Sequence, residues 1–280
     1  MAGITVIKCG GHEAVDPGAV CADVAELYRQ GRDVVLGHGG SADIESLAER
    51  LGVQRRRLVS PDGVSARYTD DAMLEVVTLA LAGRVKPRLV TALAAHGVPG
   101  VGLTGLDGGL LRARRKAVHR AVVDGRRVLV RDDHSGRVNA VRADLLTGLL
   151  DAGLVPVVSP PALAEDGTPV NTDADRALAA VAAALGAETL IMLTGAPGVL
   201  ADVSDERSVV PVYRVPATGA PSDVSGGMRL KLVAAREALL GGVTRVLIAD
   251  GRCANPAARA LSGEATRIEL DEDNTEEMTA

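Results

Sequence analysis

The sequence predicts an α/β fold in which a parallel or mostly parallel sheet is covered by helices. Short apolar runs rich in β-branched residues alternate with longer Ala/Leu-rich segments at helical spacing, and the order is repeatedly strand, then helix. The first two runs, Ile4-Thr-Val-Ile-Lys-Cys-Gly-Gly11 and Val34-Val-Leu-Gly-His-Gly-Gly40, also end in paired glycines. Without Cβ atoms, such junctions let backbone N–H groups approach a ligand closely, which suits phosphate oxygens.

Taken in order, Ile4 to Ile7 reads as a strand, and Pro17 to Arg29 as a helix with Asp16 as N-cap and Gly31 at its end. Val34 to Leu36 is the next strand, and Ser41 opens a helix that runs through Leu51 and stops at Gly52. Thr69 to Ala82 reads as a helix capped by Thr69 or Asp70, Pro87 to His96 as a separate one, and Gly100 to Leu103 as a strand. A β-rich middle follows: Ala117 to Val123, Val128 to Arg131 and Arg137 to Val141, separated by the hairpin signals Asp124-Gly125 and Asp132-Asp-His-Ser-Gly136. Ala143 to Ala152 reads as a helix and Val155 to Ser159 as a strand. Beyond these come helix Asp175 to Leu185, strand Thr189 to Leu193, a Gly/Pro loop, helix Met228 to Leu240, strand Arg245 to Ala249 and a small helix near Pro256. Residues 160–170 are the candidate boundary between an N-terminal lobe, 1–165, and a C-terminal lobe, 166–270. Residues 271–280 form an acidic, polar tail of disordered composition.

Composition narrows the function. The 280 residues include no Phe or Trp and three Tyr, so the core is built from Val, Leu, Ile and Ala, and stacking on single-stranded nucleic acid lacks its usual equipment. A net charge of −5 argues against a general nucleic-acid or anionic-membrane binder. Cys9, Cys21 and Cys253 have neither disulfide-framework nor zinc-site spacing and fit a reducing cytoplasm. Strand-like sequence from Ile4 leaves no room for a signal peptide, and no apolar run approaches a membrane span.

Lysine is scarce: Lys8, Lys86, Lys116 and Lys231 stand against many arginines. Lys8 lies at the mouth of the first glycine loop, where a compact ammonium on a flexible stem can follow a moving phosphoryl group. No Gly-x-x-x-x-Gly-Lys-[Ser/Thr] run occurs, the loop at Gly37 is only a partial dinucleotide fingerprint, and the protein-kinase motifs are absent.

The remaining motifs are Lys8-Cys-Gly-Gly11, His38-Gly-Gly-Ser41, Arg67-Tyr-Thr-Asp70, Asn171-Thr-Asp-Ala-Asp175, Thr194-Gly-Ala-Pro-Gly-Val199 and Ser225-Gly-Gly-Met-Arg-Leu-Lys231. In this order and spacing the chain resembles the amino acid kinase family, in its N-acetylglutamate kinase branch. The resemblance implies a three-layer α/β/α sandwich around a mostly parallel sheet with a β-hairpin-rich insertion. It implies a reaction in which ATP, with Mg2+ held mainly by the nucleotide phosphates and no protein metal site, phosphorylates a side-chain carboxylate. Lys8 and Lys231 would hold the transferring phosphoryl group and Asp175 would orient both, with a helix N-cap as the alternative role for Asp175. Gly39, Gly40, Ser41, Arg67 and Asn171 would bind the amino acid, Arg67 as a two-pronged clamp on its α-carboxylate. A surface ion pair of Arg67 with Asp70 or Asp71 is the plainer alternative. Gly10, Gly11, Thr194, Gly195, Gly198, Val199, Gly227 and Met228 would surround the nucleotide.

Val101 to Lys116, with Val130 to Val138, further resembles members that act on 2-aminoadipate or glutamate tethered to a small, acidic amino-group carrier protein. The cationic segment Arg112, Arg114, Arg115, Lys116, His119 and Arg120 is the physical complement of such a carrier. A solvated hairpin face is the alternative. Ser41 stands where relatives commonly have a third glycine, and Gly195 where many have Asp. The chain lacks the N-terminal helical extension of arginine-inhibited hexameric relatives, so a homodimer without arginine feedback is expected.

Overall fold

The computed structural model describes residues 3–11, 14–59, 65–115, 118–123, 126–219, 221 and 223–271. The chain begins with β1 (Thr5–Cys9), α1 (Pro17–Arg29), β2 (Val34–His38), α2 (Ser41–Arg50), β3 (Arg57–Val59) and β4 (Ser65–Arg67). Next come α3 (Asp71–Ala80), a π-helical turn (Leu81–Val85), α4 (Lys86–Ala95) and β5 (Gly100–Thr104). The middle holds β6 (Leu111–Arg115), β7 (His119–Val123), β8 (Arg126–Val130), β9 (Gly136–Val141), α5 (Ala143–Asp151), β10 (Val155–Ser159), β11 (Ala162–Ala164) and β12 (Pro169–Val170). The last third is α6 (Ala174–Ala184), β13 (Thr189–Thr194), β14 (Val212–Val215), α7 (Gly226–Leu240), β15 (Arg245–Asp250), α8 (Pro256–Leu261) and β16 (Thr266–Leu270).

An eight-stranded sheet in the order β14-β16-β15-β13-β1-β2-β10-β5 forms the middle layer. Its pairings are parallel except β15 with β16. Side chains alternate between its faces with period two. Val6, Val35, Val158, Leu190, Met192, Val246 and Ile248 pack under α5, α6 and α7. Ile7, Leu36, Val157, Ile191 and Leu247 pack under α1, α4 and α8. The expected three layers are thus present. β1 lies at the centre, with β2 on one side and β13 on the other. In open α/β sheets, the carboxyl ends of strands beside such a switch point form the ligand crevice.

Asp16 caps α1 by accepting the Gly18 N–H at 2.9 Å, as expected, and Gly31 and Gly52 adopt positive φ beyond α1 and α2. Two elements differ from expectation. Segments read as separate helices, Thr69 to Ala82 and Pro87 to His96, are joined without a break through the π turn, and Asp70 is the cap, accepting from Met73 N–H. Pro87, which has no N–H to donate within this continuous helix, comes just after the π turn, where the regular i→i−4 ladder is already interrupted. The N-cap of α6 is Asp173, not Asp175, so Asp175 lies inside the first turn.

The hairpin-rich insertion is present as two four-stranded sheets, β4-β3-β7-β8 and β12-β11-β6-β9. β7 and β8 pair antiparallel as expected, while β3, β4, β6, β11, β12, β14 and β16 were not read from the sequence. The stretch 160–170 carries β11 and β12, which pair with each other and, through β11, with β6. Residues 272–280 of the acidic tail lie outside the described residues. Among the described residues no helix is long and apolar enough to cross a membrane.

Candidate active site

Because Val6 faces α6, the period of two turns Lys8, at the end of β1, to the same side. There its ammonium lies 2.7 Å from one oxygen of Asp175, and Lys231, in the second turn of α7, reaches the other oxygen at 2.8 Å. Three charged groups from three segments meet here, Lys8 and Asp175 buried and Lys231 half-buried. Burial alone would raise the Asp175 pKa, but the ammoniums of Lys231 and Lys8 outweigh it and hold the carboxyl well below the usual range. Lys8 is penalised by burial yet ends above its ordinary value because Asp175 faces it. For Lys231 burial prevails, and with Lys8 opposite, its pKa falls. Asp173, exposed at the cap of α6, is raised by desolvation in this charged corner and by the neighbouring Asp175 carboxylate.

The two glycine loops meet at the carboxyl ends of β1 and β2. A Cβ on Gly11 would lie 2.4 Å from the Gly40 nitrogen and 2.7 Å from that of Ser41, so only glycine permits this approach. The Gly11 carbonyl accepts from the Ser41 hydroxyl at 2.7 Å and from Ala42 N–H at 3.2 Å, tying the loops together. Gly10 is closed in by the Leu193 carbonyl, 2.7 Å from a Cβ placed there, so β13 joins the same corner. Behind Gly40, Leu81 and Val85 of the π turn fill the space its side chain would take.

Arg67 and Asn171 belong to a second wall. The plainer partners of Arg67 are taken: Asp70 pairs with Arg56, which also stacks 4.2 Å over the Tyr68 ring, and Asp71 with His134 at 2.7 Å. Arg67 itself is 17% exposed and faces Glu45 at a loose 3.7 Å. The Asn171 amide donates to the Thr69 hydroxyl at 3.2 Å, which links the two motifs directly. The sequence reading missed Asp133 here. Buried, it accepts the Thr69 N–H at 2.8 Å and the Ser135 hydroxyl at 3.1 Å, while Asn171 N–H donates to the His134 carbonyl at 2.7 Å. Its run, Asp132-Asp-His-Ser-Gly136, read as a hairpin signal, closes no hairpin: β8 and β9 lie in different sheets because each finds its antiparallel partner elsewhere, and the segment instead holds the chain just after β4.

Thr194 ends β13 beside Asp250, and its carbonyl accepts Gly251 N–H at 2.8 Å. Val199 N–H donates to the Thr266 hydroxyl at 2.9 Å, and Gly198 lies against that hydroxyl with no space for a Cβ. Gly195 lies in the turn between Thr194 and Gly198. Gly227 and Met228 form the first turn of α7, one turn before Lys231.

In the cationic segment, β6 alternates strictly: Leu111 and Ala113 are buried, Arg112 and Arg114 exposed. Arg115 is half-buried and donates to the Asp133 carbonyl at 3.1 Å, joining the segment to the second wall. Arg120 lies on β7, and Lys116 lies outside the described residues.

The model of the amino acid kinase family matches residues 3–250. The chain belongs to the amino acid kinase family. It is accordingly a phosphotransferase. It is 42% identical over 266 residues to a protein of Thermus thermophilus named LysW-aminoadipate kinase, covering 94% of this chain and 99% of that one. An acetylglutamate kinase of Methanopyrus kandleri is 40% identical over 248 residues, covering 88% and 94%. Among solved structures, N-acetylglutamate synthase of Neisseria gonorrhoeae superposes with a TM-score of 0.74 at 25% identity, covering 96% of this chain and 60% of that one. The amino acid kinase fold thus also occurs as part of a longer synthase chain.

Proposed function

We propose that this kinase transfers the γ-phosphoryl group of ATP to the side-chain carboxylate of 2-aminoadipate, or of glutamate, held through its amino group on a small acidic carrier protein. The observation that carries the reading is the Lys8–Asp175–Lys231 bridge at the mouth of the glycine loops. A carboxylate acceptor is already ionised near neutral pH, so the reaction needs no general base, only alignment and stabilisation of charge. Lys8 and the amides of Gly39 and Gly40 receive the phosphoryl oxygens from the acceptor side; Lys231 and the amides of Gly10 and Gly11 do so from the nucleotide side. Asp175 offsets the repulsion between the lysines and keeps both in place.

In this reading the N-terminal lobe, residues 1–165, binds the amino acid and forms a homodimer, and residues 166–270 bind ATP. Arg67 grips the α-carboxylate, Asn171 the substituted amino group, and Ser41 completes the wall. The loop Thr194 to Val199 and the turn Gly227-Met228 enclose the nucleotide, whose phosphates carry Mg2+. The carrier docks on the cationic segment with Arg112 and Arg114 outermost and Arg115 beside them, and Lys116 and Arg120 continue the same basic run in the sequence. The similarity to LysW-aminoadipate kinase supports the carrier-linked substrate. Similarity to acetylglutamate kinases supports free N-acetylglutamate as the second reading.

Hydroxamate trapping of the acyl phosphate separates the two. Carrier-linked aminoadipate and carrier-linked glutamate should turn over well and free N-acetylglutamate poorly. Strong turnover of free N-acetylglutamate without stimulation by the carrier would sink the proposal, and a hexameric mass in solution would overturn the dimer.

A further inference from the structure

Two of the chain's four lysines, Lys8 and Lys231, meet at Asp175, and Lys116 lies outside the described residues, which leaves Lys86. It stands at the start of α4 with 7% of its surface exposed, in a chain that uses arginine nearly everywhere else. Among the described residues it makes no hydrogen bond or ion pair. Asp107 is the acidic group whose field it feels, and that carboxylate already accepts from Thr104 N–H and hydroxyl at 2.6 and 2.8 Å. The stem of Lys86 lies directly over Gly102, where a Cβ would meet its Cδ at 2.6 Å.

The face beneath α4 is unusual at its carboxyl end. Cys9 pairs in register with His38, Ser159 with Thr104, and Val158 with Gly37, so Cys9, His38, Ser159 and Thr104 form one row across β1, β2, β10 and β5. Cys9 belongs to the core under α1 and α4, so the whole row turns that way, opposite to Lys8. Two members of the row are buried with an unsatisfied polar atom: His38 Nε2 and Ser159 Oγ. On its other side the His38 ring is engaged, with Nδ1 2.9 Å from the Gly39 carbonyl. A carbonyl only accepts, so Nδ1 carries the hydrogen and Nε2 presents a bare lone pair.

We propose that His38 and Lys86 are positioning residues for phosphoryl transfer: the cation under α4 holds the buried imidazole in its Nδ1–H tautomer, and the imidazole anchors the Gly39 carbonyl. That anchor sets the direction of the Gly39–Gly40 amides. The inference rests on the reading of those amides as one wall of the phosphoryl site. The groups facing the ring from each element agree with it. Burial chiefly opposes a second proton, Lys86 from α4 and Lys8 from β1 add to it, and together they outweigh the Gly39 carbonyl, which accepts from the ring, and Asp43 from α2. The ring is therefore neutral, with its pKa near 4. Ser159 from β10 adds a hydroxyl able to donate to the lone pair.

The test is nitrogen NMR on the full chain with labelled histidine, alongside kinetics of three variants. In the wild type His38 should show a protonated Nδ1 and an unprotonated Nε2 throughout the neutral range. Lys86→Met, similar in length but uncharged, should shift that ring's titration upward and lower turnover roughly tenfold to a hundredfold, with KM for ATP little changed. His38→Asn, whose amide can reproduce the Nδ1–H bond, should retain more turnover than His38→Ala, each checked for a native melting transition. An Nε2–H tautomer in the wild type, a ring that titrates at its ordinary 6.5, or unaltered turnover in Lys86→Met would each overturn the proposal. The NMR result stands apart from the kinase reading: a wild type inert toward every carboxylate substrate would refute that reading while the tautomer still decided this one.

Discussion

Lys8 and Lys86 are both buried ammonium groups near the carboxyl ends of the central strands, one on each face of the sheet. Lys8 faces Asp175 at 2.7 Å and its pKa is raised, whereas Lys86 has no carboxylate partner among the described residues and burial lowers its pKa to about 8. Burial penalises both ammoniums, and only Lys8 has a carboxylate in contact to offset it. The contrast teaches that charge on the face of the Lys8–Asp175 bridge is enforced by a partner, while charge on the opposite face is left adjustable.

The strongest way to break this contrast is Asp175→Asn, which would make Lys8 resemble Lys86. Two facing ammoniums would then be buried without their counter-charge, at a cost of roughly 3–5 kcal/mol in stability. Turnover should fall by roughly a hundredfold to a thousandfold through loss of preorganised phosphoryl donors. Chemical denaturation and hydroxamate assays measure both, and a variant as stable and active as wild type would show that the bridge is incidental.

A second effect sharpens the contrast from the Lys86 face. The unfolded state protonates its histidines near 6.5, whereas folded His38 resists down to about 4. Stability should therefore decline as pH falls from about 6.5 to about 4, by about 3 kcal/mol, and level off below. Asp175 acts separately. Its depressed pKa contributes stability that is complete above the ordinary carboxylate pKa and is lost only at more acidic pH. Melting curves across this range, with His38→Asn flattening the upper part, check the assignment; an unchanged slope in the variant would refute it.

The smallest expected effect concerns a cation that no carboxylate fully occupies. Arg67→Lys should raise KM for the carboxylate substrate roughly tenfold, a loss of about 1.4 kcal/mol, because an ammonium cannot make the two-pronged grip. Its kcat and KM for ATP should barely move. A rise in KM for ATP instead would place Arg67 on the nucleotide.

The strands around Lys8 and His38 were legible because they are buried on both faces, so their apolar runs are unbroken and their glycines mark the ends. Arg57–Val59, Ser65–Arg67 and Leu111–Arg115 were not, since short, arginine-bearing strands depend on partners distant in sequence. The alternation of Leu111, Arg112, Ala113 and Arg114 is a strand pattern, yet its charge drew the reading toward a surface segment. The motifs singled out Lys8, Asp175 and Lys231, and the structure brings the three together, but the bridge joining them depends on Asp173 taking the cap and freeing Asp175. Asp133 and Lys86 carried no local signal, because their surroundings come from distant segments: Thr69 and Arg115 for Asp133, Gly102 and Asp107 for Lys86.

The place of β1 between β2 and β13 has a consequence for synthesis on the ribosome. Residues 5–8 pair in register with 34–37 on one side and with 189–192 on the other. The nascent chain can close the first edge early, but the second stays open until β13 has emerged, well over a hundred residues later. Until then Lys8 lacks Asp175, and an apolar strand offers a free edge to any neighbouring chain. Completion of the Lys8–Asp175–Lys231 bridge and closure of that edge therefore belong to the same late stage of folding, so a chain that has formed the bridge has also covered that apolar edge.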